Sequence, residues 1–576
     1  MKPSPDVHDQ HPVRTPDTAK SNVARPTGEM KSAQTKKGKT MNISLKSRPY
    51  PNGLRVAAIA ASLIAPVAAP TFAWGQDRPL VIARNLDLNS LDPSRAGCDT
   101  CMIYLTATYE TLVHLGKDGR SVEPGLAESW EANEDNSAFV FKLNPKAVFA
   151  DGTPVEAKDV IWSWNRLING QGGNAWTLGT IKSMEAPDSH TVKVQLTQPD
   201  GEFLGKVMVS SSAIINSDLA EAHGARAGKD AGTDPAEPWF LSNSAGSGPF
   251  VLAAYSPNAE LRLKRNDKYW GQPAGVSEVL FKQVKDSVAQ AQLIQNGDVD
   301  IAMQIDPDTA KTISSPDIVV DSLPSANYIY MALSPGAKAN PVPMTKEIRQ
   351  AIGYAVDYKG LVEFTVGGAG RLQPSPVPNE WPGTQGLPEP EYNVEKAKEL
   401  LEKAGLKDGL DLEAKFPNMN YYGVDMSTLM QKLQQDLSKA NIRIKLEPLT
   451  FPVWLDTVRG DGTPLTASFY APDYYGTGQY IDNFGMIPGT RWAKRSGAER
   501  LGLLNAKEKE LLDKALAAPE DKRDEFFKQA ALEMTGDRII IGLVNPDNIY
   551  VYNKHVQGVR YSLNDLMPLR ELSFKQ

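Results

Sequence analysis

Two cysteines three positions apart, Cys98 and Cys101 in GCDTC, have a spacing that could do chemistry. They could form a local disulfide, act as a redox pair or supply half of a zinc site. In an oxidising compartment the disulfide is the expected state, with reduced thiols as the alternative. A loop this short removes little unfolded-chain entropy, so the bridge would shape the loop more than stabilise the fold. A thioredoxin-like role needs a βαβ context that the flanking residues do not offer. Zinc would need two further ligands, and His114, His190, His223 and His555 are far apart in sequence. The chain has no HExxH, no GxSxG and no glycine-rich phosphate loop, which argues against a hydrolase or nucleotide enzyme. Ser247, in AGSGP, has flanking glycines without the elbow spacing and reads as a turn. No catalytic residue, metal or cofactor is expected.

The elements that must position any site alternate between strand-like and helix-like runs from residue 80 onward, as in a mixed α/β protein. LVIA at 80–83 reads as a buried strand, and 139–143 alternates as a half-buried one. Residues 158–167 and 428–440 have helical spacing, and 508–517 with 521–534 reads as a helical pair. Residues 393–404 form an amphipathic helix capped by Asn393 and stopped by Gly405. Strands return at 442–446, 539–543 and 549–552. Proline- and glycine-rich stretches at 335–343 and 367–390 are expected to be linkers or cleft loops. GSGPFVLAAYSPNAELRLKRNDKYW, at 246–270, reads as a β-hairpin: an apolar run, Ser256-Pro257-Asn258 as the turn, then Leu261 and Leu263 alternating with polar neighbours.

The chain has 576 residues, 41% hydrophobic and 23% charged, which is globular composition for roughly three or four domains. The first 55 residues hold 11 of 62 Lys/Arg and four of 69 Asp/Glu. The chain beyond residue 75 therefore has 51 basic and 65 acidic residues, a formal charge of −14. Such an acidic body argues against nucleic acid or an anionic membrane as partner. Residues 1–40 read as a disordered extension. Residues 41–75 read as a signal peptide: Met41 as the start, Lys46, Arg48 and Arg55 as the basic region, an apolar run at 56–69, and TFA at 71–73 for cleavage. The run is too short and, with Pro66, too broken to span a membrane. No cysteine follows the cleavage site to carry a lipid, so a freely diffusing periplasmic protein is expected.

The 246–270 hairpin resembles a core block of the family 5 extracellular solute-binding proteins, the dipeptide-, oligopeptide- and nickel-binding proteins of ABC importers. DGTPVEAKDVIWSWNRL at 151–167, FKQVKDSVAQAQLIQNGDVDI at 281–301, NPVPMTKEIRQAIGYAVDYKGLV at 340–362, YNVEKAKELLEKAG at 392–405 and APDYYG at 471–476 are similar to further blocks of that family, in the same order. The resemblance implies an α/β, bilobal periplasmic-binding-protein clamshell (type II, cluster C) with an additional domain. Residues 77–112, 217–322 and 544–576 would form domain I, 113–216 domain II and 323–543 domain III. It further implies solute capture in the interlobe cleft, lobe closure by a hinge, delivery to an ABC permease, a monomer, and no chemistry on the solute. A sensory protein on the same fold and a secreted hydrolase are the alternatives.

The same resemblance implies the site. Asp473, in YAPDYYG, matches the aspartate that pairs with a peptide ligand's ammonium, a task suited to an acceptor-only carboxylate. Tyr470 stands where relatives often place a tryptophan beside the ligand, and Tyr474 is expected on the same wall. Trp176 is similar in position to an aromatic ligand contact. Gly97, Cys98 and Asp99 resemble a domain I edge that pairs with an extended peptide, with Asp99 as a second anion. Two departures bear on the ligand. Asn420 stands where the dipeptide binders have a carboxylate-binding arginine, and Ala467 where the oligopeptide binders have a basic group. Arg371 and Arg459 are the nearest basic candidates. Losing a bidentate carboxylate clamp is not conservative, so a solute with an amine or a hydroxyl-rich group is as well suited as a free dipeptide.

Overall fold

The computed structural model describes residues 78–575 except 171, 173 and 380. The extension and signal peptide expected over 1–75 lie outside the described residues. Three larger sheets organise the chain. The first has seven strands in the order Ile318–Leu323, Asn548–Asn553, Ile301–Ala302, Leu80–Arg84, Glu278–Gln283, Glu260–Arg265, Phe250–Ser256. Leu80–Arg84 runs parallel to both neighbours and is almost wholly buried, which is why 80–83 reads as an unbroken apolar run. The 246–270 segment is a hairpin at the edge of this sheet. Ser256 pairs with Glu260, and Asn258 turns the chain at φ +60°, a conformation asparagine tolerates better than most side chains. Phe250, Leu261 and Leu263 are fully buried in the same core as Phe281.

A four-stranded antiparallel sheet follows the order Ala127–Ala132, Ala138–Leu143, Thr191–Leu196, Ile181–Asp188. Helix Ala157–Asn169 covers it. Val160, Trp164 and Leu167 recur at helical spacing in its core, and Trp164 meets Phe141 edge-on at 6.2 Å.

The third sheet has six strands: Gly370–Leu372, Ile540–Pro546, Tyr328–Leu333, Leu465–Tyr470, Leu410–Pro417, Ile442–Leu449. Its strand Tyr328–Leu333 is buried on both faces. Ile329, Met331 and Leu333 enter one core, and Tyr328, Tyr330 and Ala332 enter the core behind it. Helix Val394–Lys403 packs on the first face through Ala397 and Leu401. Asn393 caps it by accepting from the Lys396 N–H at 3.0 Å, and Gly405 ends it at φ +79°. The stretch at 367–390 departs from a simple linker. Gly370–Leu372 adds an edge strand, and Gln373, Ser375 and Val377 are buried beneath it, because the Gln373 amide donates to the carbonyls of Ser375 and Val377.

The chain passes between the seven- and six-stranded sheets at two adjacent places, from Leu323 to Tyr328 and from Pro546 to Asn548. Side chains tie the two passages together. The Ser325 hydroxyl donates to the Pro546 carbonyl at 2.6 Å, and the Asn545 amide donates to the Ser325 carbonyl at 2.9 Å.

Behind the six-stranded sheet, helices Ala506–Ala517 and Glu520–Asp537 pack as a pair. Glu508 is fully buried there and accepts the Met486 N–H at 2.5 Å. Burial, reinforced by the Asp537 carboxylate, pushes its carboxyl up to about 8. The folded chain therefore binds this proton more tightly than the unfolded chain, and the stabilisation is lost as pH rises through about 8. Between pH 5 and 8 the melting temperature of the wild type is expected to fall with rising pH relative to that of Glu508→Gln, measured by differential scanning fluorimetry in matched buffers.

Candidate functional site

Strand Leu465–Tyr470 is paired with Tyr328–Leu333 so that Tyr470 lies opposite Tyr328. The next residues leave the sheet as a turn wrapped around Gln479, which is nearly buried. The Gln479 Oε1 accepts the Asp473 N–H at 2.7 Å, and its amide donates to the carbonyls of Tyr474 and Gly476. This arrangement holds Asp473 at the surface with its side chain exposed. The Tyr470 hydroxyl donates to an Asp473 carboxylate oxygen at 3.1 Å. Burial, then the Asp473 charge, pushes the Tyr470 phenol well up, so it remains a donor. Tyr328, Tyr480 and Phe484 surround the Tyr470 ring at 5.2–6.4 Å.

Facing residues come from the seven-stranded sheet region. Cys98 and Cys101 are joined in a disulfide. Cys98 caps helix Asp99–Thr108, so 97–99 is the start of a helix and not part of a sheet edge. The N–H groups of Asp99 and Thr100 donate to the Asp87 carboxylate at 3.1 and 3.0 Å. Asp99 is half-buried. Desolvation raises its carboxyl, Arg84 opposes the rise and Asp87 adds to it. Tyr422, Tyr550 and Tyr561 all lie within electrostatic reach of Asp99, and Tyr480 within reach of both Tyr561 and Asp473. Asp99 and Asp473 thus act electrostatically on tyrosines that are linked in turn through Tyr561 and Tyr480.

Tyr422 occupies the tip of a hairpin in which Tyr421 pairs with Val424. Tyr422 and Gly423 both have positive φ, +51° and +84°, the geometry of a type I′ turn. A bulky residue is rare in that region. The tip crosses toward the first sheet region, and a Cβ on Gly423 would lie 3.2 Å from Pro307. Asn420, at the position of the missing arginine, is exposed, and its Oδ1 accepts the Gly423 N–H at 3.0 Å to close the turn. Arg371 lies beside the two passages between sheets, donating to the Ser325 carbonyl at 3.0 Å and lying 3.9 Å from Asp547. Arg459 is exposed at the end of helix Phe451–Arg459, and Ala467 is buried within its strand.

Trp176 is half-buried with its ring 5.9 Å from that of Tyr474. Tyr474 is 2% exposed and so does not line an open wall. Its hydroxyl donates to Glu202 at 3.2 Å, and the Lys206 ammonium stands 5.2 Å from its ring centroid. Tyr422, Gln479 and Glu202 were not expected from sequence. For Tyr422 the signal was an aromatic before glycine in NYYG; for Glu202 there was none. Among the described residues no cluster of His, Cys, Asp and Glu could hold a metal ion, and no helix is long and apolar enough to cross a membrane.

Comparison with known proteins adds three findings. Residues 121–487 match the model for the middle part of the bacterial extracellular solute-binding proteins, family 5. The probable D,D-dipeptide-binding periplasmic protein DdpA of Escherichia coli K12 is 28% identical over 494 residues, covering 83% of this chain and 90% of that protein. Two solved structures share the fold. The periplasmic binding protein DppA of Helicobacter pylori, in complex with the peptide STSA, aligns with a TM-score of 0.69 and 20% identity, covering 87% of this chain and 98% of that one. The binding protein AgaA of A. tumefacien R10, in complex with agropinic acid, aligns with a TM-score of 0.68 and 22% identity, covering 87% and 99%.

Proposed function

Because the chain belongs to the bacterial extracellular solute-binding proteins of family 5, we propose that it is the exported, periplasmic capture component of an ABC importer. It takes a peptide-like or other small polar solute between two lobes and hands it to the membrane permease. In this reading the seven- and four-stranded sheets form one lobe, domains I and II. The six-stranded sheet forms the other, domain III, and the passages at 324–327 and 547 are the hinge. Closure shifts an open–closed equilibrium by the difference in solute contact between the two states. The protein works as a monomer and leaves the solute chemically unchanged.

One observation supports the reading above all: the turn held by Gln479 presents the exposed Asp473 carboxylate beside the Tyr470 hydroxyl, 3.1 Å away. Carboxylates paired with phenols suit a solute that carries an amine or several hydroxyls. The test is a thermal-shift screen of peptides, opines and sugars on protein stripped of solute by unfolding and refolding. A solute at 100 times its dissociation constant stabilises the fold by about 2.7 kcal/mol. Turnover of a screened compound would contradict the binding role.

Tyr422 separates binding from stability. Tyr422→Gly is expected to lower the melting temperature only slightly, since relief of the strain at φ +51° offsets much of the packing its ring loses against Phe469. It is also expected to weaken binding of the best screen hit by about tenfold, roughly one lost hydrogen bond plus ring contact. Isothermal titration calorimetry beside a melting curve checks both halves.

A further inference from the structure

Glu202 stands beside the four-stranded sheet, just before the short helix Phe203–Val207, and is 6% exposed. All of its donors come from the six-stranded sheet region, one to five residues beyond Asp473. The Thr477 N–H donates to its carboxylate at 2.5 Å, the Gly478 N–H at 3.0 and 3.1 Å, and the Tyr474 hydroxyl at 3.2 Å. The approach requires glycine: a Cβ on Gly478 would lie 2.6 Å from Oε2, and one on Gly476 2.7 Å. Flanking contacts join the same two regions. The Gly201 N–H donates to the Leu516 carbonyl at 2.8 Å, and the Asn136 amide to the Ala518 carbonyl at 3.3 Å. The turn at 473–478 is therefore held by Gln479 from within, by the Pro382 carbonyl, which accepts the Thr477 hydroxyl at 2.8 Å, and by Glu202 from the other lobe.

We propose that Glu202 is a positioning residue: by docking onto Thr477 and Gly478 it fixes the turn, and with it the Asp473 carboxylate, in the geometry that holds solute. The inference rests on the solute-binding reading above. It makes lobe docking and Asp473 geometry one event, so solute affinity should depend on a residue that need not touch the solute.

The charged groups around Glu202 are Asp200 and Lys206 from its own segment, paired at 2.6 Å, and Arg523 from helix Glu520–Asp537; Asp482, beyond the turn, acts on Lys206 and is itself pushed up to about 6 by burial. Burial pushes the Glu202 carboxyl up to about 7. A solvated glutamate in separated lobes keeps its ordinary value near 4.3, so docking takes up a proton. Docking is favoured as pH falls from about 7 toward that value and weakened as pH rises through about 7.

Hydrogen exchange at the Thr477 and Gly478 amides of the whole mature chain, with calorimetry using L-Ala-L-Ala and D-Ala-D-Ala, tests the proposal. In Glu202→Ala the two amides are expected to exchange about tenfold faster, and peptide affinity to fall about tenfold. Glu202→Gln keeps an acceptor oxygen, so it is expected to restore protection and most of the affinity while flattening the pH dependence between 5 and 8. Unchanged protection in Glu202→Ala, or a loss that glutamine does not rescue, would overturn the proposal. If the wild type binds neither peptide, the peptide part of the solute reading loses support, while exchange at the two amides still decides the role of Glu202.

Discussion

Replacing Arg166 with methionine is expected to destabilise the chain by about 3–5 kcal/mol, because it removes the buried cation between two buried carboxylates and leaves them only the partly exposed Arg95. The Arg166 side chain is fully buried between Asp92, at 2.5 Å, and Asp234, and also donates to the Arg226 carbonyl at 2.6 Å. Arg95 adds a second cation to Asp234 at 2.7 Å but is partly exposed. Hydrogen bonding from Arg166 helps hold the Asp234 carboxyl below its usual range against the cost of burial. Arg166 lies on the helix covering the four-stranded sheet, whereas Asp92 follows the strand Leu80–Arg84 of the seven-stranded one. The network therefore joins the two sheets proposed to form a single lobe. Lysine should not rescue it, since one ammonium cannot span two carboxylates and a carbonyl as the guanidinium fork does. Urea unfolding of the three proteins measures the effect, and a methionine variant as stable as wild type would rule out this role.

Replacing Asp473 with alanine is expected to cost about 1.5–3 kcal/mol of solute binding, roughly 10- to 100-fold in affinity, the range for hydrogen bonds to charged groups. The unliganded chain should melt within about a degree of wild type, because Asp473 is exposed and exposed positions tolerate truncation. The turn itself is held by Gln479 through the Asp473 backbone N–H, which alanine retains. Asp473→Asn should lose most of the same affinity if the solute presents a cation, and much less if it presents only hydroxyls. The pair of variants, assayed by calorimetry with the best screen hit, therefore reports on the solute's charge as well as on the site.

The elements were readable where local pattern and tertiary role agree. LVIA at 80–83 is unbroken because its strand is almost wholly buried, and the 246–270 hairpin alternates around an asparagine that accepts a left-handed turn. Within the loop expected at 367–390 only the short edge strand Gly370–Leu372 was illegible, because its partner, Ile540–Pro546, lies far along the chain. Within the proposed site, Asp473 and Tyr470 share one short motif. Tyr422 was marked only by the aromatic before glycine in NYYG, since its conformation runs against the preference of a bulky residue. Asn420 was assigned by the position of an arginine in relatives, but position alone does not reveal that its amide closes a turn. Glu202 was invisible because its partners are more than 270 residues away and no local pattern marks a buried acid awaiting distant N–H groups.

The central claim is that one small solute is held, unreacted, between two lobes by Asp473. Native mass spectrometry of the mature chain purified gently from the periplasm tests it most directly. A single bound species at one per chain is expected, released intact on unfolding and absent or strongly depleted in Asp473→Ala. Equal occupancy in the variant, or release of a chemically altered product from an added solute, would contradict it.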